Sequence, residues 1–226
     1  MSSHEVLVLV AAMNEEEGIG CTLAELKKVL GDPALLVVDG NSTDKTANIA
    51  RYFGAKVVIQ KGKGKGDAIA EAIANVDADV EYVVFIDADF TYPADCLLEM
   101  IRILEENPRA GMVCGNRFNG HIDLGEMHNL LYFGNRLLAF VHNMMNGVEL
   151  HDPLTGLRVV RWSILRGWRP KSKGFDVEVE LNHLVERKGY GILETPIEYR
   201  PRLGEKKLKL RHGFTIMNRI LMESMG

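Results

Sequence analysis

The chain has 226 residues, 46% of them hydrophobic, with 27 basic and 31 acidic side chains and a formal charge of −4. That length supports one sizeable core, and the charge balance carries no basic footprint for nucleic acid, so no such partner is expected. Cys21, Cys96 and Cys114 are odd in number and widely spaced, which argues against a disulfide framework or a zinc site; they read as reduced core thiols of a cytosolic protein.

The apolar run from Val6 to Met13 is too short for a membrane span and lacks the basic start of a signal peptide. No stretch approaches the roughly 20 apolar residues of a spanning helix. The expectation is a soluble cytoplasmic protein, or one that rests on the cytoplasmic face of a membrane.

In chain order, 5–12 is a continuous apolar strand, and Ile19, Leu23, Leu26 and Leu30 then recur at helical spacing until Gly31-Asp32-Pro33. Residues 34–39 form a second buried strand, followed by a helix that Ser42 or Thr43 can cap. A strand at 55–60 and a helix at 66–76 come next, then a strand at 81–87, a helix at 94–106 and a strand at 110–115. Apolar strands separated by amphipathic helices predict an α/β fold, a Rossmann-like, mostly parallel central sheet with helices on both faces.

Ligands of such sheets bind beyond the carboxyl ends of the strands. Those ends carry Asn14-Glu15, Asp39-Gly40, the run Lys61 to Gly66, Asp87 with Asp89, and Asn116-Arg117. The second half adds an apolar helix at 128–145, a turn and strand at 151–162, an amphipathic helix at 175–189 and a strand at 191–199. A basic tail follows, closed by a short amphipathic helix over 213–226. Residues 1–212 read as a single domain. His121, His128, His142, His151 and His183 show no metal spacing and read as helix or loop surface, and Trp162 and Trp168 read as packing.

Asp87-Ala88-Asp89 has a plain reading, one acid capping the next helix and the other solvated. Its position at the end of a buried strand favours another: a divalent cation, Mg²⁺ or Mn²⁺, offsets the two carboxylates and bridges them to a diphosphate. Lys61 to Gly66 is either a solvated turn or an anion cradle at a helix N-terminus, and it lacks P-loop order. Asp39 suits hydrogen bonds to a nucleoside, or caps a turn.

The segments AAMNEEEGI, VVDGNSTDKT, KGKGDAI, FIDADFTYPAD, GNRF and DPLTGLRVVRW resemble, in this order, the signatures of family 2 glycosyltransferases with the GT-A fold. GFDVEVEL and PIEYRPRLGEKKLK resemble the polyprenyl-phosphate sugar synthases within that family, such as dolichol-phosphate mannose synthase. The resemblance covers about residues 5–212. It implies that Asn14, Glu15, Asp39, Lys63, Lys65 and Asp87 line the nucleotide side. Asp87 and Asp89 would hold the metal, Asp89 more directly, while Asp152 and Asp176 fall at sugar-contacting or base positions. Arg117, Arg200, Arg202, Lys206 and Lys207 would receive the acceptor's phosphate.

Thr91, Met13 and Gly40 depart from the mannose pattern, and FGNRLLAF is similar to a related hexosyl branch. Mannose, glucose and N-acetylglucosamine therefore stay open as donor sugars, on GDP or UDP. The expected reaction is inverting transfer of the hexose to a polyprenyl (dolichyl) phosphate at a membrane surface. Two rivals remain: the same chemistry on a soluble phosphorylated acceptor, and a nucleotide-sugar-binding module without turnover. A homodimer or a separate membrane subunit is compatible with the amphipathic C-terminus.

Overall fold

A computed structural model of the chain describes residues 6–76, 80–118, 130–146, 148–205, 207 and 210–225. The strands are β1 (Val6–Ala12), β2 (Ala34–Asp39), β3 (Lys56–Ile59), β4 (Tyr82–Asp87), β5 (Ala110–Asn116), β6 (Arg158–Arg161) and β7 (Gly191–Pro196). The helices described are α1 (Ile19–Leu30), α2 (Thr46–Tyr52), α3 (Lys65–Ile73), α4 (Leu97–Glu106), α5 (Leu130–Asn146), α6 (Trp162–Leu165), α7 (Val177–Arg187) and α8 (Leu210–Ser224).

The strands form one sheet in the order β3-β2-β1-β4-β6-β5-β7. Strands β1 to β4 run parallel, and β5 pairs parallel with β7. Only β6 is reversed among them, antiparallel to both β4 and β5. The expectation of a mostly parallel sheet agrees with this order.

Alternate residues of each central strand feed two cores. Val8, Val10, Val84 and Ile86 face α1 and α4, whereas Leu7, Leu9, Val83 and Phe85 face α3, α6 and α7. Burial on both faces is why these strands read as unbroken apolar runs. A third, smaller cluster joins Leu138 of α5, Val179 of α7 and Ile216 and Ile220 of α8.

Strand order reverses direction at β1, whose neighbours are β2 and β4. The register places Ala12 beside Asp39 and Ala11 beside Asp87. The crevice at this switch point therefore opens between the loops after β1, β2 and β4, where an open α/β sheet takes its ligand.

Several sequence expectations need correction. Neither Ser42 nor Thr43 caps α2; the Thr46 N–H bonds to Asp44 Oδ1 (2.9 Å), while Ser42 and Thr43 bond to Asn14 across the crevice. Helix α4 starts at Leu97, three residues later than read, and β7 stops at Pro196. Cys21 is exposed, not a core thiol. His142 and His183 are buried, with rings 5.7 Å apart, where α5 and α7 meet and α8 packs on both. Trp162 and Trp168 do pack in the second core. His121, His128 and Lys206 lie outside the described residues.

Candidate active site

The turn after β4 is fixed by α1. Thr22 Oγ1 donates to the Ala88 carbonyl (3.3 Å) and accepts the Phe90 N–H (3.1 Å), while Phe90 takes a left-handed φ of 65°. This holds Asp87 and Asp89 at the crevice. Asp87 Oδ1 accepts from Lys65 Nζ at 2.7 Å, and the same ammonium lies 2.8 Å from Glu178 Oε1 on α7. The Thr91 N–H and hydroxyl both donate to Asp89 Oδ1, at 3.2 and 2.6 Å, and Arg202 donates to its other oxygen. Each acid thus has its own cation.

The environments split the pair. Burial works to raise the Asp87 carboxyl, but Lys65, with help from Arg117 and Arg202, outweighs it and holds the group below its ordinary range. The Asp89 carboxyl is raised, first by burial and then by the charge of Asp87. Burial would lower the Lys65 pKa, yet Asp87 and Glu178 push it up.

Lys65 reaches Asp87 because α3 begins tightly against the segment before α7. Gly64 has φ of 89°, and a Cβ there would lie 2.3 Å from the Lys173 carbonyl oxygen. Only glycine fits such an approach. Gly156 plays the same part on the other side: a Cβ would meet Asp87 Oδ2 at 2.5 Å.

The loops after β1 and β2 form the next wall. Asn14, at φ of 51°, accepts the Thr43 N–H (2.8 Å) and donates its own N–H to Ser42 Oγ (2.8 Å). Asp39 is 2% exposed; one oxygen accepts the Ser42 N–H (2.9 Å), and Oδ1 is buried without a hydrogen-bond partner. Glu15 Oε1 pairs with Arg202 and lies 3.4 Å from Lys207 Nζ, whereas Glu15 Oε2 is a second buried oxygen without a partner. Burial raises the Glu15 carboxyl despite these cations. Lys63 is exposed and donates only its backbone N–H, to Asp67 (2.9 Å).

The chain after β7 crosses the same rim. The Arg200 N–H donates to the Thr91 carbonyl (2.9 Å) and the Leu203 N–H to the Asp89 carbonyl (3.1 Å). That path puts Arg202 between Glu15 and Asp89 and Lys207 Nζ on the Asn14 carbonyl (2.9 Å). Arg200 is drawn elsewhere: it pairs with both oxygens of Glu25 on α1 (2.8 and 2.7 Å) and lies over the Phe90 ring. Arg117 holds Asp152 in a two-pronged pair (2.6 and 2.8 Å) and stacks on Tyr199. Asp176 sits at the start of α7 and pairs with Arg219 of α8 (3.1 Å), tying the C-terminal helix to the body.

Sequence reading missed Glu178, Gly156, Glu25 and Glu194, the last of which accepts the N–H groups of His151 and Asp152. Glu178 carried a signal, being the second acid of the FDVE stretch at a helix start. The other three carried none beyond their residue type.

Among the described residues no group of three or more His, Cys, Asp and Glu side chains gathers about one point. Asp87 and Asp89 nonetheless fit a hard divalent ion. They are oxygen donors at the rim, and the mutual charge that raises Asp89 is what such an ion would offset. The remaining ligands would have to come from elsewhere than protein acids.

A mostly parallel sheet with acids and cations on one rim is the architecture of the GT-A glycosyltransferases. Glucosyl-3-phosphoglycerate synthase from Mycobacterium tuberculosis, solved with Mn²⁺, UDP-glucose and phosphoglyceric acid, superposes with a TM-score of 0.76. That match has 21% identity and covers 98% of this chain and 80% of that one. The sequence profile described as "Glycosyl transferase family 2" matches residues 7–168, and the chain belongs to this family of enzymes. It is 32% identical over 206 residues to a dolichyl-phosphate hexose transferase of Haloferax volcanii, spanning 90% of this chain and 86% of that protein. Glycosyltransferase AglJ of the same organism is 32% identical over 197 residues, spanning 87% of this chain and 63% of the relative.

Proposed function

We propose that this glycosyltransferase moves a hexose from a nucleotide-diphospho-sugar to a polyprenyl phosphate, with inversion at the anomeric carbon and with Mg²⁺ or Mn²⁺ at Asp87 and Asp89. The observation that carries the reading is the layout of charge along the crevice. Buried acceptor oxygens of Asp39 and Glu15 lack partners beside β1 and β2, Arg202 bridges Glu15 to Asp89 with Lys207 close by, and Arg117 stands on the far side of the acid pair with Asp152. Likeness to a dolichyl-phosphate hexose transferase over most of both chains supports the lipid phosphate as acceptor.

In this reading Asn14, Glu15 and Asp39 hold the nucleoside, and Lys63 and Lys65 border its diphosphate. A bound divalent cation supplies charge neutralisation for the departing diphosphate. An oxygen of the acceptor phosphate attacks the anomeric carbon from the opposite face, and the bond to the diphosphate oxygen breaks. That phosphate is already ionised near neutral pH, so no strong general base is required. The protein contributes position and charge. Asp152 acts by orienting Arg117 toward the incoming phosphate, and Asp176, beside Glu178, borders the sugar. Arg202 and Lys207 supply the cations nearest Asp89 and Glu15; Arg200, engaged by Glu25, stands outside this group.

A lipid acceptor calls for a membrane surface. Leu137, Phe140 and Met144 of α5 and Phe214, Leu221 and Met222 of α8 are exposed apolar side chains on helices that pack together. No helix among the described residues is long and apolar enough to cross a membrane. In this reading the exposed apolar side chains of α5 and α8 make peripheral contact at the cytoplasmic leaflet.

The test uses labelled UDP- and GDP-hexoses with Mn²⁺, offered dolichyl phosphate in vesicles or soluble phosphomonoesters. Transfer to the vesicle fraction is expected; transfer only to a soluble phosphomonoester would overturn the lipid acceptor.

A further inference from the structure

Arg158, the first residue of β6, is 1% exposed, and no carboxylate among the described residues pairs with it. Its guanidinium instead grips the loop just before it. Nε donates to the Thr155 carbonyl (2.9 Å), one terminal nitrogen to the Pro153 carbonyl (2.7 Å), and the other to Asn182 Oδ1 on α7. Asn182 Nδ2 donates to the same Pro153 carbonyl (3.0 Å) and lies 3.4 Å from His142 Nε2. A buried guanidinium without a counter-ion is a costly way to fill a core. What it offers is direction, since a rigid planar fork fixes two carbonyls at once.

With the carbonyls of 153 and 155 turned inward, the residues flanking them meet the rim. Asp152 engages Arg117, and the Gly156 N–H donates to Tyr92 Oη (2.7 Å) while its bare Cα lies against Asp87. The start of the loop is fixed separately. Glu194 accepts the N–H groups of His151 and Asp152 (2.8 and 2.7 Å), and Asn143 of α5 bonds Leu150 in both directions (2.8 and 3.2 Å). Arg158 and Asn182 hold the peptides that follow, so Asp152 is fixed on one side by Glu194 and on the other through the Pro153 carbonyl.

We propose that Arg158 and Asn182 are positioning residues for the transfer reaction. From beneath, they set the loop 152–156 that aims Asp152 at Arg117 and seats Gly156 behind Asp87. The inference rests on the rim being the site of transfer, as proposed above, but not on which phosphate is the acceptor.

The experiment compares Asn182→Ala and Arg158→Lys with wild type on whichever acceptor wild type glycosylates, and follows amide hydrogen exchange of 150–157. Asn182→Ala is expected to lower kcat roughly tenfold and to raise the donor KM by less, about threefold, because a loosened loop disturbs the reacting geometry more than the distant nucleoside contacts and adds no atom that displaces Asp87. Exchange should quicken in 154–157 and stay unchanged in 150–152, β1 and β2. Arg158→Lys should lower kcat further, since one ammonium cannot hold both carbonyls. An unchanged kcat with a lowered Tm, or kcat falling in step with donor affinity, would overturn the proposal. If Arg158→Lys fails to fold, Asn182→Ala decides alone. A wild type active only on soluble phosphomonoesters overturns the lipid reading, whereas the ratio of variant to wild type still tests this one.

Discussion

Lys65 Nζ lies 2.7 Å from Asp87 Oδ1 and 2.8 Å from Glu178 Oε1, so one buried ammonium joins the end of β4 to α7. Replacing it leaves two carboxylates facing each other without a cation. Lys65→Met is therefore expected to destabilise the fold by about 3 to 5 kcal/mol, the usual cost of breaking a buried pair from one side. Adding Asp87→Asn should recover part of that loss. Urea unfolding of the single and double variants checks both statements, and additive effects would argue against the contact.

Gly156 and Gly134 allow a paired test of space. A Cβ at Gly156 would lie 2.5 Å from Asp87 Oδ2, whereas one at Gly134 in α5 meets nothing within 4 Å. Gly156→Ala should weaken Mn²⁺-dependent donor binding at least tenfold by displacing Asp87, while Gly134→Ala leaves it within about twofold and costs no stability. Isothermal titration with UDP-sugar reads the difference.

Arg200 and Arg202 stand two residues apart and look equivalent in the sequence, yet they meet different acids. Arg202→Ala removes the cation between Glu15 and Asp89 and should cut turnover by roughly a hundredfold. Arg200→Ala loses a part-buried, two-pronged pair with Glu25 and should cost about 1 to 3 kcal/mol of stability, with turnover nearly unchanged. Steady-state kinetics of the two variants separates them.

Acid sensitivity should arise away from the crevice. Burial, with the charge of His183 next, lowers the His142 pKa from 6.5 to about 4. The folded value lies below the unfolded one, so the neutral ring's contribution is present above pH 6.5 and fades as pH falls through that window toward 4. Stability should drop by about 2 kcal/mol between neutrality and about pH 5, and His142→Gln should flatten that slope. Urea unfolding across pH shows it; equal slopes would contradict the assignment.

How far the sequence carried these results depended on whether the cause was local. Continuous apolar runs made β1, β2, β4 and β5 readable, since burial on both faces leaves its mark in every residue. The insertion of β6 between β4 and β5 left no such mark, because RVVR says nothing of its neighbours or direction. Asp39, Asp87 and Asp89 were readable as rim acids because they end apolar strands. Their partners were not: Lys65, Glu178 and Arg202 meet them only through tertiary packing. His142 looked like surface in an apolar helix and is buried beside Asn182 and His183 of α7.

The account depends most on Asp89 carrying a cation-bridged donor. Calorimetric titration of the wild type with UDP- and GDP-sugars, with Mn²⁺ and then with excess EDTA, tests this beside Asp89→Ala shown folded by circular dichroism. Donor binding that needs Mn²⁺ and is lost in Asp89→Ala is the expected result. Donor affinity unaffected by both chelation and the substitution would contradict the claim.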